Sequence, residues 1–340
     1  MKEPNTAPAS ELLSGRRDLV DVYTHIQAEL DRVEEKLQVF TSSGNRLVSE
    51  INGYLFKKRG KRIRPALLIL SSRLLGYGGE EHIQAASLVE FIHTASLIHD
   101  DIIDKADLRR GVDSVHARWG SNVSVLLGDF LYIKAIGLAL GSAYPQIVRI
   151  LTDVSTRMIE GELDEFRRSG DLSLSEQEYL RIINDKTAVL FAASCRIGGV
   201  LAEASPEQQE ALAAYGLNLG LAFQIIDDLL DFKGSRDRLG KPVLSDIREG
   251  RITLPLIYSI NSDGRHNGLR LRALLEDKSL REETQRVILD IVTGNGALEY
   301  TFRRAQEYSL RAREIMSDFP ASAHREALSL LADFVLMREH

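Results

Sequence analysis

Apolar residues recur at helical spacing along nearly the whole chain, and no stretch alternates long enough to propose a β-sheet. Between Arg17 and Phe40 they fall at Leu19, Val20, Tyr23, Ile26, Leu30, Val33, Leu37 and Val39, close to a 3.6-residue period, with charges on the other face. A second helix is expected from Ser43 to Leu55. The pattern returns in Ala66–Leu75, from about Glu81 to Asp104, from Ser121 to Gly141 and in Met158–Phe166. Ser173 and Ser175 each precede an acid by three residues (Glu176, Glu178), so each is a possible capping box. They start a helix that reaches Lys186 and ends near Gly199. Ser205 with Pro206 and Gln208 is a further start signal. The helix it opens carries Gly216 and Gly220, spaced for close approach of a neighbour. Short turns favour antiparallel neighbours, and no linker divides the 340 residues. The expected fold class is all-α, a single large antiparallel helical bundle over residues 16–340 behind a frayed N-terminus, residues 1–15.

A hydrophobic content of 44% supplies a large core, and a net charge of −6 gives no reason to expect a nucleic-acid partner. The one cysteine, Cys195, rules out an internal disulfide and fits a reducing compartment; its apolar neighbours place it in the core. No signal peptide is recognised at the N-terminus. No run of about 18 uncharged apolar residues marks a membrane span. A cytoplasmic protein is expected.

The chemistry lies in Asp100-Asp101-Ile-Ile-Asp104, which ends an apolar helical run. Asp100 and Asp104 are one turn apart, about 6 Å, and like charges that close call for a cation. The pattern recurs as Asp227-Asp228-Leu-Leu-Asp231. One such motif is what a helix cap or a solvated face produces. Two, each in apolar sequence and each followed by a basic, glycine-containing segment, point to divalent metal. Hard carboxylate oxygens suit Mg²⁺, completed by substrate phosphates. His93, Ser96, Asp100 and Asp104 share one helix face. Six cations crowd the nine residues Lys57–Pro65. A solvated loop explains a basic run, but a loop-to-helix junction also presents cations to an anion. Lys61, Arg64, Arg109, Arg110, Lys186 and Lys241 are the candidate phosphate cations. Lys186, in apolar surroundings, either snorkels or meets an anion. Glu160, Glu162, Asp164 and Glu165 read as a solvated face. Gly234–Pro255 is the segment least like a helix and the best candidate for a mobile lid. No phosphate-binding or dinucleotide glycine loop is present, and the lone Cys argues against structural zinc. A metal-bound diphosphate in an apolar helical cavity points to ionisation chemistry, with water kept from a reactive carbocation.

The sequence resembles the trans-isoprenyl (polyprenyl) diphosphate synthase family. The resemblance rests on Gly60-Lys-Arg-Ile-Arg-Pro65, Glu90 through Asp104, Arg109-Arg-Gly111, Lys186-Thr187, Phe223 through Asp231, Gly240-Lys-Pro with Asp246, and Arg251-Ile-Thr-Leu-Pro255. It implies an isoprenoid synthase fold around a central apolar cavity and a homodimer. The reaction it implies is Mg²⁺-dependent head-to-tail condensation of isopentenyl diphosphate with an allylic prenyl diphosphate. Asp100, Asp104 and Asp227 would be the main metal ligands, supported by Asp101, Asp228 and Asp231. Arg109, Lys186, Lys241 and Arg251 would hold the allylic diphosphate, and Lys61, Arg64, His93 and Arg110 isopentenyl diphosphate. Thr187 and Gln224 resemble residues beside the reacting carbons, acting with Lys186 and Lys241. The allylic diphosphate itself would take the final proton. Two departures stand out. Arg59-Gly60-Lys61 replaces the usual Gly-Gly-Lys, and Arg251 replaces a frequent lysine, which is not a neutral swap at a tight site.

In the family, bulky aromatics just before the first aspartate motif shorten the product. Here Ala95 and Ser96 hold those positions, which implies a product longer than farnesyl, of the kind handed to a membrane as a quinone side chain. Only Ser96 is also placed on the aspartate face by helix geometry. Tyr132 or Ile136 would form the cavity floor. A geranylgeranyl diphosphate synthase is the shorter-product alternative. A non-catalytic subunit of a hetero-oligomeric synthase fits poorly with two intact aspartate motifs. A terpene cyclase needs no second diphosphate site, and a generic metal-binding bundle explains the acids but not the paired cations.

Overall fold

The helix expected over Arg17–Phe40 divides in two. In the computed structural model, which describes residues 19–40, 42–57, 59–109, 111–233, 244–261, 265–276 and 281–338, α1 (Leu19–Tyr23) and α2 (Gln27–Phe40) flank a turn closed by the Ile26 N–H on the Tyr23 carbonyl. The expectations for residues 1–15, Arg110 and Lys241 lie outside the described residues, as do residues 234–243 of the lid candidate. Asn45 opens α3 (Arg46–Leu55) by accepting from the N–H groups of Leu47 and Val48. The basic loop leads into α4 (Ile63–Leu74), followed by α5 (Glu81–Ile103). Around Gly111 the chain forms β1 (Leu108–Arg109) and β2 (Val112–Asp113), antiparallel with Leu108 opposite Asp113. Two-residue strands are too short to leave an alternation in sequence.

Next come α6 (Val115–Trp119), α7 (Ser121–Ala139) and α8 (Pro145–Arg167). Ser175, not Ser173, caps α9 (Glu176–Ile183), in a reciprocal box with Glu178. A π-turn at Asn184–Ala188 separates α9 from α10 (Val189–Leu201). The chain continues through α11 (Pro206–Lys233), α12 (Ser245–Arg248), α13 (Leu254–Asn261), α14 (Arg265–Glu276), α15 (Glu282–Gly294), α16 (Ala297–Ser317) and α17 (Ala323–Met337).

The buried side chains form one cluster running from Val22 to Val335. At its centre α11 lies against α10 and α16, and α5 lies against α4 and α7. Tyr215 is fully buried and donates to the Leu328 carbonyl at 2.7 Å, joining α11 to α17. Cys195 is likewise buried, and burial pushes its thiol up to about 12, so it packs rather than reacts. The outer half of α7 is different. The helix is long and apolar enough in composition to cross a membrane, with a mean hydropathy of 1.4. Asp129 and Lys134 interrupt its apolar run, so the helix holds no stretch of about 18 uncharged apolar residues. One face, through Leu127, Leu131 and Ala135, belongs to the core; the other leaves Leu126, Ile133 and Leu140 exposed.

Gly216 and Gly220 let α11 approach α10 as closely as their spacing foretold. A Cβ on Gly216 would stand 2.5 Å from the Phe191 carbonyl oxygen, and one on Gly220 would stand 2.7 Å from Ala188 Cα. Gly216→Ala must therefore push two core helices apart. The expected loss is about 1–3 kcal/mol, measured as a lower urea midpoint at unchanged slope. An unchanged midpoint would show that the helices part without cost.

Candidate active site

The aspartate motifs lie in the last turns of α5 and α11, and both helices deliver them to one cavity of about 440 Å³. Asp100 and Asp104 line it from one side, and Asp227, Asp228 and Asp231 from the other, with Arg109, Lys186, Thr187, Gln224 and Arg251 between them. Asp101 is not part of this wall. It projects to another face of α5, is buried, and takes the Arg109 Nε at 2.8 Å on both carboxylate oxygens. Asp101, expected to support the metal, here anchors Arg109.

Burial sets the electrostatics. It pushes the Asp100 carboxyl up to about 7, with Lys186 opposing and Glu162 and Asp104 adding to the rise. Burial also raises Asp228 to about 7 against two stabilising donors, Tyr179 Oη at 2.6 Å and Gln224 Nε2 at 2.8 Å. Thr187 Oγ1 donates to Gln224 Oε1 at 3.0 Å, so Thr187, Gln224, Asp228 and Tyr179 form one chain of hydrogen bonds. Thr187 sits in the π-turn, a widening frequently found at functional sites. The turn lies close against α8, where a Cβ on Gly161 would be 2.6 Å from the Lys186 nitrogen. Asp231 accepts from Ser245 Oγ at 2.8 Å and from the N–H groups of Ser245 and Asp246. It therefore caps α12 and ties the residues after 243 to the end of α11.

The cations answer the carboxylates. Arg251 bonds Asp104 at 3.0 Å and Asp246 at 2.9 Å, and also pairs with Glu249. It thus joins the first aspartate helix to the segment behind the second. Burial disfavours charge on Lys186, but Glu165, Glu162 and Asp100 outweigh it and hold the ammonium protonated. Glu162 stands at 2.7 Å and Glu165 is also paired with it. Glu162 and Glu165 therefore belong to the site, correcting their reading as a solvated face; Glu160 is exposed. The buried stripe Leu151, Val154, Met158 and Gly161 on α8 continues at helical spacing to Glu165, which is the signal that would have found it.

Arg64 and His93 come together, with Nη1 to Nε2 at 3.0 Å, and the Arg64 guanidinium lies 4.5 Å over the Phe191 ring. Phe191 packs on Phe223 at 5.3 Å, and Arg338 covers Phe223 at 3.9 Å. Lys61 is exposed, its Nζ 6.0 Å from the Phe334 ring. Sequence reasoning missed Arg338, since a single arginine after the last helix forms no motif. It lines the aspartate cavity and bonds Asp227 at 3.1 Å, and among the described residues its buried Nε and Nη1 have no hydrogen-bond partner. Ala95 is fully buried and Ser96 half-buried, its hydroxyl donating to the His93 carbonyl. Neither lines the aspartate cavity. Tyr132 stacks on His99, and burial with Asp100 and Glu162 nearby raises its phenol. It therefore lies close to the aspartates, with Ile136 one turn farther along α7.

Among the described residues, no three His, Cys, Asp or Glu side chains form a ready-made metal cage. The donors present are hard oxygens on opposite walls, with arginines on Asp104 and Asp227. That set fits Mg²⁺, which takes one or two carboxylates and completes its octahedron with water and phosphate.

A family model described as Polyprenyl synthetase matches residues 45–292. The chain is 36% identical over 298 residues to the octaprenyl diphosphate synthase of Escherichia coli (strain K12), covering 88% of this chain and 92% of that protein. To the geranylgeranyl diphosphate synthase of Saccharolobus solfataricus it is 33% identical over 328 residues, covering 94% and 98%. A crystal structure of a polyprenyl synthase from Caulobacter crescentus CB15, complexed with calcium and isoprenyl diphosphate, superimposes with a TM-score of 0.91 at 37% identity, covering 95% of this chain and 98% of that one. Fold and paired aspartate helices together define an all-α prenyltransferase of the isoprenoid synthase fold. The chain belongs to the polyprenyl synthetase family, as its motifs led one to expect.

The raised carboxyls are directly measurable. In metal-free protein with ¹³C-labelled aspartate, at least two carboxyl resonances are expected to titrate near pH 7, and Asp100→Asn removes one of them. Titration of every aspartate below pH 5 would contradict the dominance of burial at this site.

Proposed function

We propose that the chain elongates an allylic prenyl diphosphate by successive Mg²⁺-dependent condensation with isopentenyl diphosphate, giving a trans-polyprenyl diphosphate longer than farnesyl. The observation that carries this reading is the convergence of two aspartate helices and the half-buried cations Arg109, Lys186, Arg251 and Arg338 on one cavity. Asp100, Asp104 and Asp227 are the residues that would hold metal. Asp228 and Asp231 are committed to Tyr179, Gln224 and the start of α12, and support the site by holding its walls. Bound Mg²⁺ would supply Lewis-acid stabilisation of the departing diphosphate. Arg109, Lys186 and Arg251 are assigned to the allylic diphosphate. Lys61, Arg64 and His93 are assigned to isopentenyl diphosphate, joined by Arg338 with its unused donors. Thr187 and Gln224 stand between the two groups, where the reacting carbons must lie, and present oxygens to positive charge developing there.

The exposed apolar faces of α7 (Leu126, Ile133) and α8 (Leu163, Phe166) support a homodimer formed through these helices. We assign the enzyme to the cytoplasm as a single catalytic domain that delivers its apolar product to a membrane. Product length follows from the small residues Ala95 and Ser96. Relatives at similar identity are named for octaprenyl and for geranylgeranyl products, both longer than farnesyl, so kinship supports the same bound.

Three experiments test this reading. Purified protein incubated with isopentenyl and farnesyl diphosphates and Mg²⁺ is expected to yield products longer than farnesyl, with chelator abolishing turnover. Asp100→Ala should lower kcat by a factor of about 10² or more with an unchanged circular dichroism spectrum; near-wild-type rates would make the motif structural. Ser96→Phe is expected to shift the chromatographed products to shorter chains, and an unaltered distribution would remove Ser96 from length control.

A further inference from the structure

We propose that Arg62 is a positioning residue. Its buried ion triad with Glu34 and Glu90 sets the turn that presents Lys61 and Arg64 to the second diphosphate. The proposal rests on the assignment of Lys61 and Arg64 to isopentenyl diphosphate made above.

The basic run looks uniform in sequence but not in space. Lys61 is exposed, whereas its neighbour Arg62 is only 8% exposed and turns inward. The turn is made at Arg62 itself, whose backbone is left-handed at φ 50°, ψ 35°. A side chain with a Cβ resists that region by about 1–2 kcal/mol, so the conformation persists only where the surroundings over-determine it. Here they do. Arg62 Nε and Nη2 address the two oxygens of Glu34 on α2, the latter at 3.0 Å, and Nη1 addresses Glu90 on α5. Both carboxylates are buried. Tyr23 adds a third tie, donating to the Lys61 carbonyl at 2.6 Å.

Glu90 is three residues before His93 on α5, and Arg62 is two before Arg64. The pairs Glu90–Arg62 and His93–Arg64 are two rungs between α5 and the start of α4. The inner rung fixes the register that the outer rung uses. Arg62 is not among the residues lining the aspartate cavity, so it acts through its neighbours. Fold stability alone does not explain the triad, because buried ion triads are frequently replaced by apolar residues at no cost. Only a planar fork meets both partners at once, so lysine does not substitute.

The test is steady-state kinetics with each substrate varied in turn, alongside thermal unfolding, for R62K, E90Q, the apolar triple variant E34M/R62M/E90M, and K61A. R62K, E90Q and the triple variant are expected to raise the KM for isopentenyl diphosphate about tenfold to a hundredfold. The allylic KM should stay within about threefold of wild type, and the triple variant should melt near wild type. K61A should raise the same KM. A folded triple variant with unchanged isopentenyl KM, beside a K61A that raises it, overturns the positioning role. Equal rises in both KM values with a lowered melting point also overturn it, as the mark of a purely structural triad. If K61A leaves the isopentenyl KM unchanged, the assignment of the loop to that substrate fails instead. Should R62K not fold, E90Q and the triple variant decide.

Discussion

Carboxylates brought to one cavity by two helices repel one another, and much of the surrounding structure offsets that repulsion. Arg251 takes Asp104, Arg338 takes Asp227, and Lys186 faces Asp100 while held by Glu162 and Glu165. Asp228 and Asp231, more deeply buried, are satisfied by neutral donors instead. Removing one partner from a buried pair costs about 3–5 kcal/mol because it strands the other charge. The consequence is mechanical. Arg251 ties α5 to the segment around Asp246, and Asp231 fastens the same segment to α11, so the two aspartate helices are cross-linked by their own counter-charges.

α5 organises the site because it works on two faces. His93 meets Arg64, and Asp100 and Asp104 line the aspartate cavity. Glu90 and Asp101, offset by part of a turn, hold Arg62 and Arg109 from behind. Each motif carboxylate therefore has a task set by its angle on the helix rather than by its place in the motif. Asp100 and Asp101 are adjacent in sequence, yet one lines the site and the other anchors an arginine.

This explains what was legible in the sequence. The recurrence of the aspartate motif pointed to the meeting of Asp100 and Asp104 with Asp227, and the helical period, the Ser175 and Ser205 starts and the close approach at Gly216 and Gly220 follow from local rules of spacing and capping. The break at residues 24–26 did not, because it depends on Tyr23 reaching Lys61 thirty-eight residues away. The short hairpin at Arg109 and the π-turn at Lys186 are too small to leave a period. Glu162 and Glu165 were misread because charge was taken as exposure, although the apolar stripe on α8 leads directly to Glu165. Arg338 had no local signal at all; only the return of α17 to the end of α11 places it on Asp227.

That return also relates the two substrate ends. Arg64 lies on Phe191 and Arg338 on Phe223, so two cations cap a pair of packed rings, each contact contributing about 0.5–2 kcal/mol. Gln224 follows Phe223 directly and is bonded to Thr187 and Asp228. From Phe223 to Asp228 is five residues, about 7.5 Å along the axis of α11. Within that span the helix passes from the cations that suit one diphosphate, past two uncharged oxygens, to the carboxylates that suit the other through metal. Condensation needs this order, with two anions held apart and a carbon–carbon bond forming between them under groups too weakly charged to trap the cation. Phe223, Gln224 and Asp227 stand on about one turn of a single helix held close to its neighbours at Gly216 and Gly220, so the spacing of these three points is fixed by helix geometry and not by loop conformation.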